Sequence, residues 1–153
     1  MFLEVYDKLV HVFMTNQPQA IKTVENKELA PVRENLASLN IYEPLATYKP
    51  YNNTLSGVMF GSDPTPVSYK DYRLGSPISG LTVSAEVTKE NYSNEIVALY
   101  TITNNTGNDV TIAEVGLSWN WALLDRTVLE NPITIPSGSI GQLTYTITFN
   151  RAE

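Results

Sequence analysis

Strict alternation of apolar and polar residues is the feature of this sequence that most restricts how the chain can fold. In residues 81–89, and again in residues 143–150, apolar side chains alternate with polar ones. Because successive side chains of a strand point to opposite faces of a sheet, this period of two predicts strands with one buried and one solvated face. Thr, Val, Ile and Tyr, which suit such a surface, supply many of these positions.

Polar turn signals separate the strand signals. The stretch NNTGN at residues 104–108 predicts a tight turn between two strands, because Asn and Gly tolerate positive φ. Pro136 and Gly138 predict a second turn before the last strand. With a first short strand over residues 54–60, the sequence predicts a mainly β fold: an antiparallel β-sandwich of about six to eight strands, jelly-roll or immunoglobulin-like.

The first 14 residues predict an N-terminal helix. The polar side chains of Glu4, Asp7, Lys8 and His11 fall on one stripe at helical spacing, and apolar residues cover the rest of the circumference. Such a helix packs either on the β-domain of its own chain or on a neighbouring subunit. His11 is assigned to the polar stripe, because it has no Cys and no acidic pair to form a metal site with it.

Residues 40–51 are rich in Tyr and Pro and have no clean period, which is typical either of an extended arm or of a loop over the chain's own core. Residues 30–39 predict a short helix, with Pro31 in its first turn. We therefore divide the chain into an N-terminal helix and arm, residues 1–53, and a β-sandwich domain, residues 54–153. The first part is predicted to make intersubunit contacts through five anchors: Phe2, Leu9, Phe13, Tyr42 and Tyr48.

The apolar parity changes within residues 110–121. Val110 and Ile112 share one parity, whereas the apolar residues from Val115 onward share the other. A strand with this pattern either carries a β-bulge near residues 113–114 or is buried on both faces.

Glu114 lies at this change of parity, and Arg126 in the following segment is its predicted partner. A guanidinium matches a carboxylate with two parallel hydrogen bonds, so we expect a structural ion pair across neighbouring strands. A catalytic role for the carboxylate is the alternative interpretation.

Trp119 and Trp121 stand two residues apart, on one face of the predicted strand. Paired aromatic rings can form a stacking platform for a sugar, so the two residues are a candidate glycan site. Burial in the core or in a subunit interface is the commoner role for large aromatic side chains and is favoured here.

Composition argues against several classes of function. The chain of 153 residues has a net charge of −6 and no basic run, whereas nucleic-acid binding needs clustered cations. It has no Cys, which removes thiolate metal sites and thiol nucleophiles. The motifs GxSxG, GxxxxGK[ST] and GxGxxG are absent, and no apolar run reaches membrane-spanning length. We expect no catalysis, no metal, no cofactor, and neither a nucleic acid nor a membrane as partner.

Three stretches resemble a pattern found in small structural proteins of tailed bacteriophages: GSDPTPVSYKDYRLGSPI, YTITNNTGNDVTIAEVGL and LLDRTVLENPITIPSGSIGQLTYTITF. In those proteins a polar loop and a DYxL…PI segment precede a β-sandwich with a TNxTGxxxTIxEVGL hairpin and an LxxRxxL…P…I…G stretch. The resemblance covers residues 61–149 and leaves residues 1–60 unmatched. The residues that match are Asp71, Tyr72, Leu74, Pro77, Ile78, Thr103, Asn104, Gly107, Ile112, Glu114, Gly116, Leu117, Arg126, Pro132 and Gly138.

The resemblance implies a virion component of the tail, neck, baseplate or capsid surface. We therefore expect a non-enzymatic structural subunit of a tailed-phage particle that contacts copies of itself and other virion proteins. The start of the chain lacks the basic region of a signal peptide, so we expect synthesis in the host-cell cytoplasm and location in the virion. The main alternative is a β-module that binds a carbohydrate or a host receptor, and a further one is an unrelated bacterial β-sandwich adaptor. A glycan is therefore a less favoured partner.

Overall fold

The computed structural model describes residues 3, 4, 6, 8, 9, 20–23, 25–29, 45–48, 57–88, 94–119 and 122–148. This part of the chain is mainly β, as the alternation predicts, and its sheets are antiparallel. The strands are β1 (Ile21–Lys22), β2 (Glu28–Leu29), β3 (Gly57–Gly61), β4 (Leu81–Thr88), β5 (Glu95–Asn104), β6 (Val110–Trp119), β7 (Ala122–Ile135) and β8 (Ile140–Thr148).

The six longer strands form two sheets of three strands each. One, with the order β3-β6-β7, is called the β6 sheet here, and the other, with the order β4-β5-β8, is called the β5 sheet. Strands β1 and β2 pair with each other as a separate two-stranded sheet. The chain passes from one large sheet to the other three times, between β3 and β4, between β5 and β6, and between β7 and β8.

The hairpin that the resemblance implies around residues 104–108 is not formed. Strand β5 pairs with β4 and β8, whereas β6 pairs with β3 and β7, so the polar turn connects two sheets. Turn residues specify a reversal of the chain but not the partner of the next strand. Burial decides the partner, because β5 is fully buried at alternate residues and β6 at every residue from Ile112 to Trp119.

Both large sheets contribute to one buried apolar cluster. Tyr100 and Ile102 of the β5 sheet and Phe60 and Val115 of the β6 sheet are each at most 1% exposed in it. The rings of Phe60 and Tyr100 meet edge to face, with centroids 5.7 Å apart, in the geometry that aromatic pairs prefer. Burying each such side chain stabilises the fold by roughly 1.5–3 kcal/mol, so this cluster is the main apolar core.

The outer faces of the two sheets differ. The outer face of the β5 sheet is polar along both edge strands, with exposed Thr, Ser, Glu and Gln side chains at alternate positions. The β6 sheet is also covered on its outer side, by clusters that include Leu3 and Leu74 in one place and Leu9 and Ile21 in another. A sheet that is buried on both faces explains why β6 has no polar face in its sequence.

Both interpretations of the parity change in β6 are correct. The register between β6 and β7 shifts between Ile112 and Glu114, which is the predicted bulge. The strand is also buried on both faces beyond that point. The bulge places Ile112 in the apolar core between the sheets and Glu114 under the outer layer.

The N-terminal prediction of a helix falls mostly outside the described residues. Glu4, Tyr6, Lys8 and Leu9 have helical conformation, and Lys8 Nζ lies 2.6 Å from Glu4 Oε1, four residues away. No helix is among the elements delimited in the described part of the chain. The short helix predicted over residues 30–39 lies outside it, and the division at residue 53 stays a prediction.

Asn104 joins the two sheets at the polar turn. Its fully buried amide nitrogen donates to the carbonyl oxygens of Asn108 and Ile135, at 2.7 and 2.8 Å. Its amide oxygen accepts from the backbone N–H and the hydroxyl of Thr106, at 3.0 and 2.7 Å. Gly107 follows with a φ of 83°, which favours glycine. One side chain therefore shapes the turn and ties it to the end of β7.

Asn104→Ala is expected to lower the free energy of unfolding by roughly 1–3 kcal/mol. The change removes the side-chain donor of the Ile135 carbonyl and one of the two donors of the Asn108 carbonyl, which keeps the Thr106 hydroxyl at 2.9 Å, and a buried polar group that loses its partner costs about 1–3 kcal/mol. Urea denaturation followed by circular dichroism measures the loss. Asn105→Ala is the matched control, because Asn105 is exposed and bonds only to the Thr82 hydroxyl. Equal stability of the two variants would contradict the assigned role.

Candidate functional site

The candidate site is centred on the carboxylate of Glu114, which is 0% exposed on the outer side of the β6 sheet. Arg126 Nε donates to Oε2 at 2.8 Å, and the backbone N–H of Gly75 donates to the same oxygen at 3.1 Å. The backbone N–H groups of Ser76 and Asp63 donate to Oε1, at 2.9 and 3.4 Å. Both carboxylate oxygens are thus satisfied by donors from one strand and one loop.

Arg126 extends this arrangement to a second carboxylate. Its side chain is 4% exposed, and Nη1 donates to Asp71 Oδ2 at 2.9 Å. Nη2 donates to the carbonyl oxygen of Thr65 at 3.1 Å and lies 3.8 Å from Asp63 Oδ2. Guanidinium groups are suited to such a site because their donors point in several fixed directions within one plane.

The loop between β3 and β4 is folded around these charges. Asp63 Oδ1 accepts from the backbone N–H of Thr65 at 2.8 Å, and Asp71 Oδ2 accepts from that of Ser68 at 2.9 Å. Each aspartate therefore shapes its own turn while it faces Arg126. We call Glu114, Arg126, Asp63 and Asp71 the charge cluster, in which the first two side chains are buried and the two aspartates are partly exposed.

Two glycines make room for the cluster. A Cβ atom at Gly61 would overlap the Glu114 carboxylate, and one at Gly75 would overlap the carboxylate of Asp63. Neither glycine has a positive φ, so the requirement is for space and not for backbone freedom. The loop approaches the sheet this closely only because these residues have no side chain.

Within the cluster, the surroundings of Arg126 and of Asp63 favour the charged forms of these two side chains. Burial by itself would lower the pKa of the Arg126 guanidinium, but the hydrogen bonds and charges of Glu114 and Asp71 outweigh it and raise that pKa. The pKa of Asp63 is lowered, first by its hydrogen bonds from Thr65 and also by the charge of Arg126. Because Glu114 is sealed from water and all its donors come from the protein, the arrangement is suited to holding a loop in place.

The structure brings Glu114 and Arg126 together, as the sequence predicts. They lie on β6 and β7, diagonally across the pair, since Gly116 is the residue opposite Arg126. Sequence reasoning missed Asp63 as a partner, although its Asp-x-Thr spacing is a turn signal. Asp71 is one of the residues that carry the resemblance, but the sequence alone does not indicate its role. Asp71, Leu74, Glu114, Gly116 and Arg126, all from the resemblance, meet here.

Leu74 packs at this place against Leu123, and a Cβ atom at Gly116 would lie 2.7 Å from Leu74 Cδ2. Three separate stretches of sequence therefore share one site.

The predicted subunit anchors are placed differently from the expectation. Leu9 is 0% exposed and packs within its own chain against Ile21 and Trp119. Tyr48 stacks on Phe60 at a centroid distance of 6.0 Å and bridges to Val58 in parallel alignment. These two residues contact the chain's own strands, because the β6 sheet needs apolar cover on its edge and outer side. Phe2, Phe13 and Tyr42 lie outside the described residues.

The predicted glycan platform needs two exposed tryptophan rings, and the Trp119 ring is buried. Trp119 is 4% exposed and packs among Leu9, Ala122 and Leu124. Trp121 lies outside the described residues. The alternation that places both rings on one face does not reveal that this face is covered by the N-terminal part of the chain.

A second buried polar contact joins the two large sheets. The Tyr145 hydroxyl on β8 donates to Asp125 Oδ2 on β7, and the Thr127 hydroxyl donates to the same oxygen at 3.2 Å. Burial, followed by the charge of Asp125, raises the pKa of Tyr145 well above its ordinary value of 10.0. Tyr145 is therefore neutral in the fold, where it can donate this bond.

A surface groove of about 320 Å³ lies beside the cluster, between the N-terminal residues and the loop. Lys22 Nζ stands 4.4 Å from the centre of the Tyr72 ring, and Arg73 Cζ stands 5.5 Å from it. Glu4, Lys8, Glu28 and Lys70 also line the groove. Charges of both signs meet here, so the groove selects neither an anion nor a cation.

In the described parts of the chain, no three His, Cys, Asp or Glu side chains are grouped to hold a metal ion. The described residues also contain no helix long and apolar enough to cross a membrane. Comparison of the chain with models of protein families, with curated proteins and with solved structures finds no match.

Glu114→Gln and Arg126→Met are each expected to lower the free energy of unfolding by about 3–5 kcal/mol, because removing one partner leaves the other charge buried without compensation. Thermal unfolding followed by circular dichroism measures the effect. Lys27→Met is the control: its pair with Glu25 is exposed, so the change stays within about 1 kcal/mol. An unchanged melting temperature in both cluster variants would show that the ion pair is not structural.

Proposed function

We propose that this chain is a non-enzymatic structural subunit of a tailed-phage particle, located in the tail, neck, baseplate or capsid surface. In this role it acts through contacts with copies of itself and with other virion proteins. Its two large sheets form a β-sandwich around their shared apolar cluster, as in the phage proteins that the sequence resembles.

The observation that supports the proposal best is the structural role of the residues that carry the resemblance. Asp71, Glu114 and Arg126 hold the loop on the β6 sheet, and Leu74 and Gly116 pack beneath it. Glu114 and Arg126 are almost fully buried, so a molecule in solution has no access to the Glu114 carboxylate. The part of the sequence that resembles phage proteins thus stabilises architecture, which suits a subunit whose task is to keep its shape in an assembly.

The placement of Leu9 and Tyr48 bears on where the contacts between subunits are expected. Leu9 is buried and Tyr48 is partly buried against their own chain, and the intersubunit role of the five anchors stays a prediction. In the described part, the polar face and the edges of the β5 sheet offer one surface to a partner.

Immunogold labelling of purified particles of the phage that encodes the chain tests the role. Antibodies raised against the full chain are expected to label one fixed place on each particle, because a structural subunit occupies a defined position in a symmetric assembly. Mass spectrometry of the same particles supplies an independent measure. Extract of infected cells is the control for antibody recognition. Absence of the chain from the particles, with recognition in the extract, would overturn the proposal.

A titration with a panel of mono- and oligosaccharides separates this role from the glycan-binding alternative. Tryptophan fluorescence is expected to stay flat, because Trp119 is buried under Leu9 and Ile21 and has no face open to a sugar. A sugar-binding lectin with a tryptophan in its site, measured alongside, is the positive control. A saturable change in the fluorescence of this chain would favour the carbohydrate-binding module.

A further inference from the structure

The sheet edges in the described part of the chain differ in how they are protected against pairing with another molecule. Natural edge strands carry charges, prolines or bulges, or are covered by another segment. In the β6 sheet, β3 is covered where Val58 N–H donates to Thr47 C=O at 2.8 Å. Strand β7 has two register shifts against β6 and contains Glu130 and Pro132. In the β5 sheet, β4 carries Glu86.

Strand β8, at the other edge of the β5 sheet, has none of these protections. Its sequence from Ile140 to Thr148 contains no charged residue and no proline. Its register with β5 runs without a shift from Thr103↔Ile140 to Glu95↔Thr148. Ile140, at the start of the strand, is 66% exposed. No described residue pairs with the outer side of β8, so this strand is a regular, uncharged edge.

The ladder shows which residues of β8 face outward along the edge. Asn104 N–H donates to Ser139 C=O at 2.9 Å, which sets the phase of the β5–β8 pair. In an antiparallel pair, successive residues direct their backbone groups alternately toward the partner and away from it. Residues 141, 143, 145 and 147 therefore bond to β5, and residues 140, 142, 144, 146 and 148 direct their N–H and C=O groups to the open edge.

We propose that β8 pairs with β8 of a second copy of this chain, antiparallel and about a two-fold axis at Thr144. In this register Ile140 lies opposite Thr148 of the second copy, so every edge-directed N–H and C=O group of both strands obtains a partner. The two β5 sheets become one continuous sheet of six strands. The inference rests on the proposed function, which it deepens by naming the surface and the partner.

The side chains of β8 match their own copy in this register. On the core side Leu143 lies opposite Tyr145, and both continue the buried face of the sheet. On the outer side Gln142 lies opposite Thr146, and Thr144 lies opposite Thr144. Cross-strand pairs of aliphatic with aromatic residues and of threonine with threonine are favourable, and a shift by one residue would place apolar side chains on the wrong face. The strand has no charge that would repel its copy across the axis.

Sedimentation velocity of the full chain and of charged variants at residue 144 tests the pairing. The wild-type chain is expected to reach a mass twice its 17.0 kDa. Thr144→Lys and Thr144→Glu are each expected to sediment as monomers where the wild type is a dimer, because two like charges then face each other on the axis. An equimolar mixture of the two variants is expected to restore the dimer, since opposite charges then meet.

Ser84→Lys is the matched control. Ser84 is exposed on the outer face of the same sheet, but it lies on β4, so this variant is expected to dimerise like the wild type. Circular dichroism confirms that each variant is folded; the substituted side chains are exposed. A wild-type chain that stays monomeric at all concentrations, or charged variants at residue 144 that associate as the wild type does, would overturn the proposed pairing.

The two proposals fail separately. If the chain is found in phage particles but association ignores the charge at residue 144, the pairing through β8 is wrong and the structural role stands. If the charge variants behave as expected but the chain is absent from the particles, the pairing stands and the phage assignment is wrong.

Discussion

The buried ion pair of Glu114 and Arg126 is the interaction on which the layered arrangement of this protein depends. Removing two charges from water is costly, and the cost is offset only when every remaining donor and acceptor is satisfied. Here the loop between β3 and β4 supplies the missing partners, through backbone N–H groups and Asp71. If the loop left the sheet, Glu114 and Arg126 would lose these hydrogen bonds. The ion pair therefore holds the loop, and with it the outer layer, on the β6 sheet.

This layer makes the two faces of the molecule unequal. The β6 sheet has apolar cover on both sides, and its outer cover includes Leu74 from the loop and Leu9 from the N-terminal part. The β5 sheet keeps one polar face and an uncharged edge at β8. A regular, uncharged edge is open to pairing, whereas a covered sheet is not, so the two sheets differ in the surface that they offer.

Two residue patterns in this chain fit both a functional site and an ordinary core. A carboxylate beside an arginine, or two tryptophans on one strand, is a pattern shared by active sites, sugar sites and ordinary cores. Exposure separates these cases: Glu114 is 0% exposed and Trp119 is 4% exposed. Groups that water cannot reach serve the fold, whereas the outer side chains of β8, mainly threonines, are exposed.

The sequence by itself determined the strands, because a two-residue period has one structural meaning along β4 and β8. The change of parity near Glu114 also predicted either a bulge or burial on both faces, and the sequence predicted the pairing of Glu114 with Arg126. Only the tertiary structure decided that β5 and β6 belong to different sheets, that Asp63 and Asp71 complete the charge cluster, and that Leu9 and Trp119 cover each other. Local patterns state which face of a segment is apolar. They do not state which distant segment will cover that face, since the choice depends on how all the layers pack together.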